Sequence, residues 1–278
     1  MMLSNSTKVW VFIVGICLFC LILGYRLGDR MGLLIGLAFA VTLNLLIFFY
    51  GEAHILHLLQ VRISEGQDPW GLQPLIEDYA YRLGLKRPPR LYILEGPASV
   101  AFCIGIAWRK PCICISEGLL KRFSKSDLRA VVAYQIGHIR RMETFGFGVT
   151  SILANTLVGL GQLLDQVWPA NFFLNKKQKP FLTLLSPLGW LIIRLVVRTK
   201  TYYENDALTA ELIGDRRRLA EVLWRMEGLA QTQPLLIPPC TSHLFMVNPE
   251  GFDQKNLFLK FHPAMESRLL KLVGYYPI

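Results

Sequence analysis

The stretch AVVAYQIGHIRR, residues 130–141, reads as a helix around which the rest of the fold is organised. A helix that carries the sequence H-E-x-x-H presents two imidazoles on one face, four residues apart, with a glutamate beside them as a general base. At the same spacing this stretch carries Tyr134, Gln135 and His138. The stretch therefore predicts a helix with the spacing of a zinc site but with only one of its three chemical groups.

The composition indicates a membrane protein. Of the 278 residues, 53% are hydrophobic and 18% are charged, and the mean hydropathy is +0.37. An ordinary soluble domain carries about a quarter charged residues. The formal net charge of +10 does not indicate nucleic-acid binding, because Asp and Glu lie among the Lys and Arg residues and no recognition module accompanies them. We expect no nucleic-acid partner, and we expect the excess cations to contact anionic membrane lipid.

Four apolar runs are candidates for membrane helices. Val9–Tyr25 and Met31–Tyr50 each approach the roughly 20 residues that a helix needs to cross the hydrocarbon core, and residues 26–30 between them are short enough for a helical hairpin. Phe145–Trp168 and Phe181–Val197 predict a second hairpin. The alternative for the second pair is that the two runs only dip into the bilayer or pack as core helices.

The remaining segments predict a mixed domain outside the membrane. Pro88–Leu94 reads as a short strand, and residues 99–107 and 111–116 alternate as the strands of a β-hairpin do. Residues 124–127 have the chemistry of a helix N-cap, and the helix that they open contains His138. The spacing of the six cysteines is not that of a disulfide framework. We therefore expect the cysteines to be buried as small hydrophobic residues in a reducing compartment.

Separated stretches of the chain, in the same order, resemble the HtpX-type membrane zinc metallopeptidases. Two apolar spans precede the domain, as in that family. The matching stretches are Ala101-Phe102, residues 115–120, residues 126–133, residues 206–214, and Phe261-His262-Pro263 with Glu266 and Arg268. Each stretch is short, but their order and spacing cover nearly the whole chain.

The resemblance implies an α+β membrane protein that is mainly helical, with an HtpX-like metallopeptidase domain built around a small β-sheet. We predict an N-terminal transmembrane hairpin at residues 1–50 and the first part of the peptidase-like domain at residues 51–144. A second apolar hairpin at residues 145–197 is inserted in that domain, and residues 198–278 form its second part.

When the family's zinc ligands and general base are matched to this chain one residue at a time, the resemblance also implies that most of them have been replaced. The family's first zinc histidine corresponds to Tyr134, its general-base glutamate to Gln135 and its zinc-ligand glutamate to Tyr202. The second zinc histidine is retained as His138, and the asparagine that helps to hold the substrate strand corresponds to Val100. A catalytic zinc of this class needs three protein ligands and a water. We therefore expect no cofactor.

A metal site rebuilt from neighbouring residues is the alternative. The best candidate set is His138 with Asp206 and His262. In the family, the aspartate at the position of Asp206 resembles a partner of a ligand histidine.

A structural role for the substituted centre is the interpretation that we favour. Tyr134 and Tyr202 are larger than the residues they replace, so we expect their rings to fill the volume of the metal. Buried polar groups need partners. We therefore expect the two hydroxyl groups to form hydrogen bonds with His138, Gln135 or Asp206.

Together these expectations describe a pseudo-peptidase, a membrane protein that binds, scaffolds or regulates without hydrolysis. The strand edge at Val100, Ala101 and Phe102 is predicted to take an extended polypeptide by strand addition. An active membrane-bound zinc metalloendopeptidase with an altered metal site is the alternative, and a third possibility is a subunit of a larger complex whose groove is idle. We expect membrane lipid and a protein partner in a membrane complex as contacts. We also expect location in the plasma (inner) membrane with a cytoplasmic peptidase-like domain.

Overall fold

The part of the chain that the structure describes is mainly helical and contains one small sheet. The computed structural model describes residues 5–64, 68, 70–105, 111–141, 143–167, 179–237, 240–251 and 261–274. Its elements, in chain order, are α1 (Asn5–Leu58), β1 (Val61–Ile63), α2 (Leu72–Arg82), β2 (Arg90–Leu94), β3 (Ala101–Ile104), β4 (Cys112–Ser116), α3 (Glu117–Arg122), α4 (Lys125–Arg140), α5 (Glu143–Val167), α6 (Pro180–Val196), α7 (Thr199–Ile213), α8 (Arg216–Thr232) and α9 (Met265–Val273).

The sheet is mixed, and its strand order is β1-β2-β4-β3. Strand β2 runs parallel to β4, whereas β1 pairs antiparallel with β2 and β3 pairs antiparallel with β4. The β3–β4 pair, with Ala101 opposite Ile115, confirms the hairpin that the sequence predicts. Every residue of β3 and β4 is buried, including Cys112 and Cys114. This burial places β3, the edge strand of the sheet, inside the domain.

Helix α4 contains the residues quoted at the start and lies at the centre of the domain. It begins with the predicted N-cap: Ser124 Oγ accepts from Asp127 N at 3.3 Å, and Asp127 Oδ2 accepts from Ser124 N at 3.1 Å. All residues from Ala130 to Ile139 are buried. A helix that is buried on every side belongs to the core, and α4 is accordingly packed by α2, α7, α8 and β3.

A close approach of α4 to α7 is permitted by one glycine. A Cβ atom on Gly137 would lie 2.6 Å from Asn205 Oδ1, which is closer than side-chain atoms can pack. Asn205 in turn donates from Nδ2 to the carbonyl oxygen of Tyr134 at 3.1 Å. Gly137 therefore sets the distance between the two helices that carry the candidate site.

The apolar helices follow the predicted runs. Helix α1 is interrupted at Gly28 and Asp29, inside the predicted connector, where Asp29 has a φ angle of 46°. Helices α5 and α6 pack against each other, and both carboxylate oxygens of Asp165 accept backbone N–H groups at the start of α6, from Phe181 and Leu182, at 2.9 Å. Helices α5 and α6 therefore form a packed pair, and the predicted second membrane hairpin stays a prediction.

Among the described residues, α5 alone is long and apolar enough to cross a membrane as a single helix. Helices α6 and α7 would provide a second span only if they were counted together as one segment bent by 42°. Half of the apolar stretch of α5 is buried by protein. The spans at residues 1–50 and the bounds of the four predicted segments stay predictions.

Replacement of Gly137 by alanine should destabilise the domain by about 1–3 kcal/mol, because the added methyl group collides with the buried Asn205 side chain. Gly228 in α8 provides the matched control, since a Cβ atom there meets nothing within 4 Å. Gly228→Ala should stabilise by about 0.5–1 kcal/mol through helix propensity. Denaturant unfolding in mild detergent measures both changes. Equal effects of the two substitutions would contradict the close approach.

Candidate functional site

Helices α4 and α7 pack so that the predicted site residues on α4 lie next to those on α7. The ring of His138 lies 5.2 Å from the ring of Tyr134 and 6.4 Å from the ring of Tyr202, measured between centroids. Gln135 is 1% exposed, and Tyr134 and Tyr202 are fully buried. Residues that lie about 65 positions apart in the chain are therefore assembled into one buried cluster, which we call the tyrosine centre (Tyr134, Gln135, His138 and Tyr202).

A buried arginine from α9 joins the tyrosine centre. Arg268 donates from Nε to Asp206 Oδ2 at 2.9 Å and from Nη2 to Asp206 Oδ1 at 2.6 Å, which is a bidentate ion pair. Its Nη2 also lies 3.2 Å from the hydroxyl oxygen of Tyr134. Burial by itself would lower the pKa of Arg268, but the carboxylate of Asp206 outweighs that effect and raises the pKa above its usual value. Arg268 is therefore a permanent internal cation.

The hydrogen bonds of the two tyrosines differ from those expected. The Tyr134 hydroxyl accepts from Arg268, and the Tyr202 hydroxyl donates to the carbonyl oxygen of His243 at 3.1 Å. The expected bonds to His138, Gln135 or Asp206 are not among those the described residues make, so that hypothesis is wrong. The rings nevertheless contact His138. Burial raises the pKa of the Tyr134 phenol, so its proton is retained.

His138 is held by a carboxylate that follows α4 in the chain. Its Nδ1 lies 2.9 Å from Glu143 Oε2 at the start of α5, and Glu143 Oε1 accepts from Arg141 Nε at 2.6 Å. Arg141 also forms an ion pair with Glu204 of α7. The pairing of an imidazole with a buried carboxylate fixes the orientation of the ring. Glu143 thus lies between His138 and Arg141 and accepts a hydrogen bond from Arg141.

Two further histidines lie beside Tyr202, and one of them was missed by sequence reasoning. His262 Nε2 donates to the carbonyl oxygen of Phe245 at 2.9 Å, and its ring lies 5.0 Å from that of Tyr202. His243 Nε2 donates to the carbonyl oxygen of Phe147 at 3.0 Å. Burial lowers the pKa of His243 to about 4, although the bond to Phe147 opposes this shift. His243 is a single histidine in a loop-like segment, so no periodicity marks it.

The predicted polypeptide-binding edge is occupied by the chain itself. The backbone N–H of Met246 donates to the carbonyl oxygen of Ala101 at 3.0 Å, and Phe102 forms an antiparallel bridge with Phe245. The Phe102 and Phe245 rings lie 4.9 Å apart. Val100 is also buried, and its backbone N–H is bonded to Ser116 Oγ. The edge is therefore paired at Ala101 and Phe102, where the sequence alone predicted an edge that could receive an external strand.

Helix α4 thus presents Tyr134 and His138 at the spacing of H-E-x-x-H and packs against β3, the edge strand of the small mixed sheet. The model of peptidase family M48 matches residues 67–275, and the chain belongs to this family. The resemblance to HtpX-type proteins is thereby confirmed.

The relatives that the comparison found match nearly the whole chain. A protease HtpX homologue of Pelotomaculum thermopropionicum is 25% identical over 96% of this chain and 98% of its own length. A protease HtpX homologue of Nostoc punctiforme is 28% identical over 99% of both chains. The crystal structure of S. mikatae Ste24p has the same fold, with a TM-score of 0.52 and 18% identity. It is matched over 97% of this chain, which spans 65% of the length of Ste24p.

Membership in this family supports the predicted membrane localisation, because the HtpX and Ste24 homologues are membrane proteins. The particular membrane and the orientation of the domain stay predictions.

The expectation of no cofactor is wrong. The HtpX and Ste24 proteins of this family are zinc metallopeptidases, so family membership points to zinc. The donor set at the corresponding positions does not match that ion, because the phenols of Tyr134 and Tyr202 lie beside the imidazole of His138, and zinc favours imidazole, thiolate and carboxylate. The candidate set with Asp206 and His262 is not assembled: within the described parts of the chain, no three His, Cys, Asp or Glu side chains are grouped to hold a metal.

Replacement of Arg268 by methionine should destabilise the domain by about 3–5 kcal/mol, because it leaves the Asp206 carboxylate buried without its cation. Adding Asp206→Leu to Arg268→Met should recover part of that loss. Lys271→Met on the same helix, at an exposed position, should change the stability by less than about 1 kcal/mol. Denaturant unfolding measures all three. An Arg268→Met effect no larger than that of Lys271→Met would show that the ion pair does not hold the site.

The stability of the domain should fall as the pH is lowered from 7 to 5, in part through His243. The folded-state pKa of His243 lies below its unfolded value, so the folded state binds the proton less well. This contribution is complete above the unfolded pKa of about 6.5 and is lost as the pH falls toward 4, by about 1–2 kcal/mol at pH 5. His243→Gln keeps a donor for Phe147 but does not titrate. Unfolding measured at both pH values should show a smaller pH dependence for this variant, and an unchanged dependence would be inconsistent with a buried neutral His243.

Proposed function

We propose that this chain is an HtpX-like member of peptidase family M48 that binds polypeptide without hydrolysing it. In this role it is a scaffolding or regulatory subunit in a membrane complex. The observation that carries the proposal is the buried amide of Gln135 at the position of the general base. A neutral amide has no basicity with which to take a proton from water.

The neighbouring carboxylates support the proposal because each is already engaged. Asp206 accepts two bonds from Arg268, and Glu143 accepts a bond from Arg141 and lies 2.9 Å from His138 Nδ1. A general base must reach the proton that it removes and must be free to accept it. The two buried acids of the centre are instead held by cations and an imidazole.

The environment of Gln135 favours binding over proton transfer. Its Nε2 is buried and has no hydrogen-bond partner among the described protein atoms. A buried N–H group without an acceptor costs about 1–3 kcal/mol. The carbonyl oxygen of a polypeptide held beside α4 would provide such an acceptor, since backbone carbonyls are the acceptors that an extended chain presents at regular intervals.

An active zinc metalloendopeptidase with an altered metal site is the second candidate. It is favoured by the zinc of the family and by the contact of His138 with Glu143, which is the pairing that ligand histidines commonly make. The two candidates differ in hydrolysis, which is measured directly below.

We further propose that the chain lies in the plasma (inner) membrane with the domain on the cytoplasmic side, in contact with lipid and a protein partner. Exposed apolar side chains on the membrane-type helices support contact with lipid or with partner helices, among them Phe19, Ile35, Leu163 and Leu195. The net charge of +10 supports the cytoplasmic side, where anionic lipid and the positive-inside tendency favour cations.

Back-substitution of three positions tests the proposed function. The variant Tyr134→His, Gln135→Glu, Tyr202→Glu should cleave an unfolded protein such as casein in a chelator-sensitive manner, whereas the parent should not. The matched control restores Tyr134→His and Tyr202→Glu but keeps Gln135, and it should be slower than the triple variant by about 10²–10⁴-fold, the usual contribution of a general base. Zinc content is measured in all three proteins. Chelator-sensitive cleavage by the parent at the rate of the triple variant would establish the second candidate.

A further inference from the structure

The segment that covers the edge of β3 has the geometry of a bound peptide. Residues 242–247, which we call the internal strand, begin as a single 3-10 turn at Ser242–Leu244 and then meet β3 at a single antiparallel bridge formed by Phe245. Phe245 lies opposite Phe102, and Met246 N donates to Ala101 O at 3.0 Å. This is antiparallel pairing of the kind by which an extended polypeptide adds to a sheet edge.

Side chains of the candidate site hold the backbone carbonyls of the internal strand. The Tyr202 hydroxyl donates to the carbonyl oxygen of His243 at 3.1 Å, and His262 Nε2 donates to that of Phe245 at 2.9 Å. Arg268 Nη1 donates to the carbonyl oxygen of Met246 at 2.9 Å. Three carbonyls of one short segment are therefore bound by three residues from α7, α9 and the turn before α9. Bonds of this kind recognise the backbone of a peptide and are independent of its side chains.

The side chains of the internal strand fill apolar positions on either side of it. Leu244 and Phe245 belong to the core cluster that includes Phe102 and Tyr202, whereas Met246 and Val247 belong to the cluster built around α4. Each of these four side chains is 5% exposed or less. A polypeptide that took the same place would therefore need large apolar side chains at the positions of Phe245 and Met246.

We propose that the internal strand is a resident occupant of the polypeptide-binding edge, so that an external polypeptide binds β3 only after residues 242–247 have left it. This proposal rests on the binding function proposed above and adds its regulation and its ligand class. The ligand is an extended apolar segment with an aromatic residue opposite Phe102. Because a tethered segment acts at an effective concentration of about millimolar or more, it excludes a free peptide of equal intrinsic affinity. The apparent association constant of the free peptide is its intrinsic value multiplied by the fraction of molecules in which the edge is open.

The experiment uses the full-length chain in mild detergent and a fluorescent peptide with the sequence of residues 241–249, TSHLFMVNP, as the probe. Phe245→Ser removes the ring that packs on Phe102 and should tighten probe binding at least tenfold relative to the parent. Phe123→Ser is the matched control, because Phe123 is a buried phenylalanine of the α4 core cluster that lies outside the internal strand and β3. It should bind the probe as the parent does. Fluorescence anisotropy measures the affinities.

Hydrogen exchange identifies the place where the probe binds. Binding should increase the exchange of the Met246 N–H, which leaves Ala101, while the amides of β3 stay protected. If Phe245→Ser prevents folding, Phe245→Leu takes its place in the titration. That substitution keeps an apolar side chain in the core, removes the ring contact with Phe102, and leaves the donors at the edge in place, so it should tighten probe binding several-fold.

Equal affinity of the probe for the parent and for the folded variant, with unchanged exchange at Met246, would overturn the proposal of a resident occupant. Tightening by Phe123→Ser to the same degree would also overturn it, because general loosening of the domain would then explain the effect. Neither outcome bears on hydrolysis, which the casein measurement decides separately.

Discussion

The buried ion pair between Arg268 and Asp206 is the constraint on which the rest of the site depends. A guanidinium that is 1% exposed is tolerated only where charge and hydrogen-bond acceptors surround it. Arg268 finds the carboxylate of Asp206, the hydroxyl of Tyr134 and the carbonyl oxygen of Met246. These partners belong to α7, α4 and the internal strand, so one cation on α9 requires three other parts of the chain to converge. The cation also lies 5.6 Å and 5.8 Å from the ring centroids of Tyr134 and Tyr202, where cation–π attraction adds to the pairing.

The same network limits the chemistry of the site. Both buried carboxylates are engaged, Asp206 by Arg268 and Glu143 by His138 and Arg141. The resemblance matches the position of the general base to Gln135, whose side chain is an amide. The fold of peptidase family M48 is thus retained around a centre whose acids serve as anchors between helices. This is why the proposed function keeps the binding surface of the family and separates it from hydrolysis, although the family itself points to zinc.

The internal strand connects the tyrosine centre to the edge of the sheet. Tyr202, His262 and Arg268 all bind its carbonyl oxygens, so the residues near the substituted centre now contact backbone. A phenol is a poor zinc ligand at neutral pH but a good donor to a carbonyl. The replacement of a ligand glutamate by Tyr202, which the family resemblance implies, therefore has a physical use in this structure. The occupied edge and the substituted centre are two parts of one arrangement.

Local patterns in the sequence determined much of this protein. The N-cap at Ser124, the β3–β4 hairpin, the apolar helices and the membership of the chain in its family all follow from spacing and residue type, because each depends on residues close together in the chain. The positions of Tyr134, Gln135, His138 and Tyr202 in one cluster also followed, through the resemblance. Only the tertiary structure decided the partners of those residues. The bond from Arg268 to Tyr134 spans 134 positions, and that from Tyr202 to His243 joins a helix to a loop-like segment without periodicity. Such contacts depend on how whole elements pack, and packing brings together groups whose separation in the chain carries no signal.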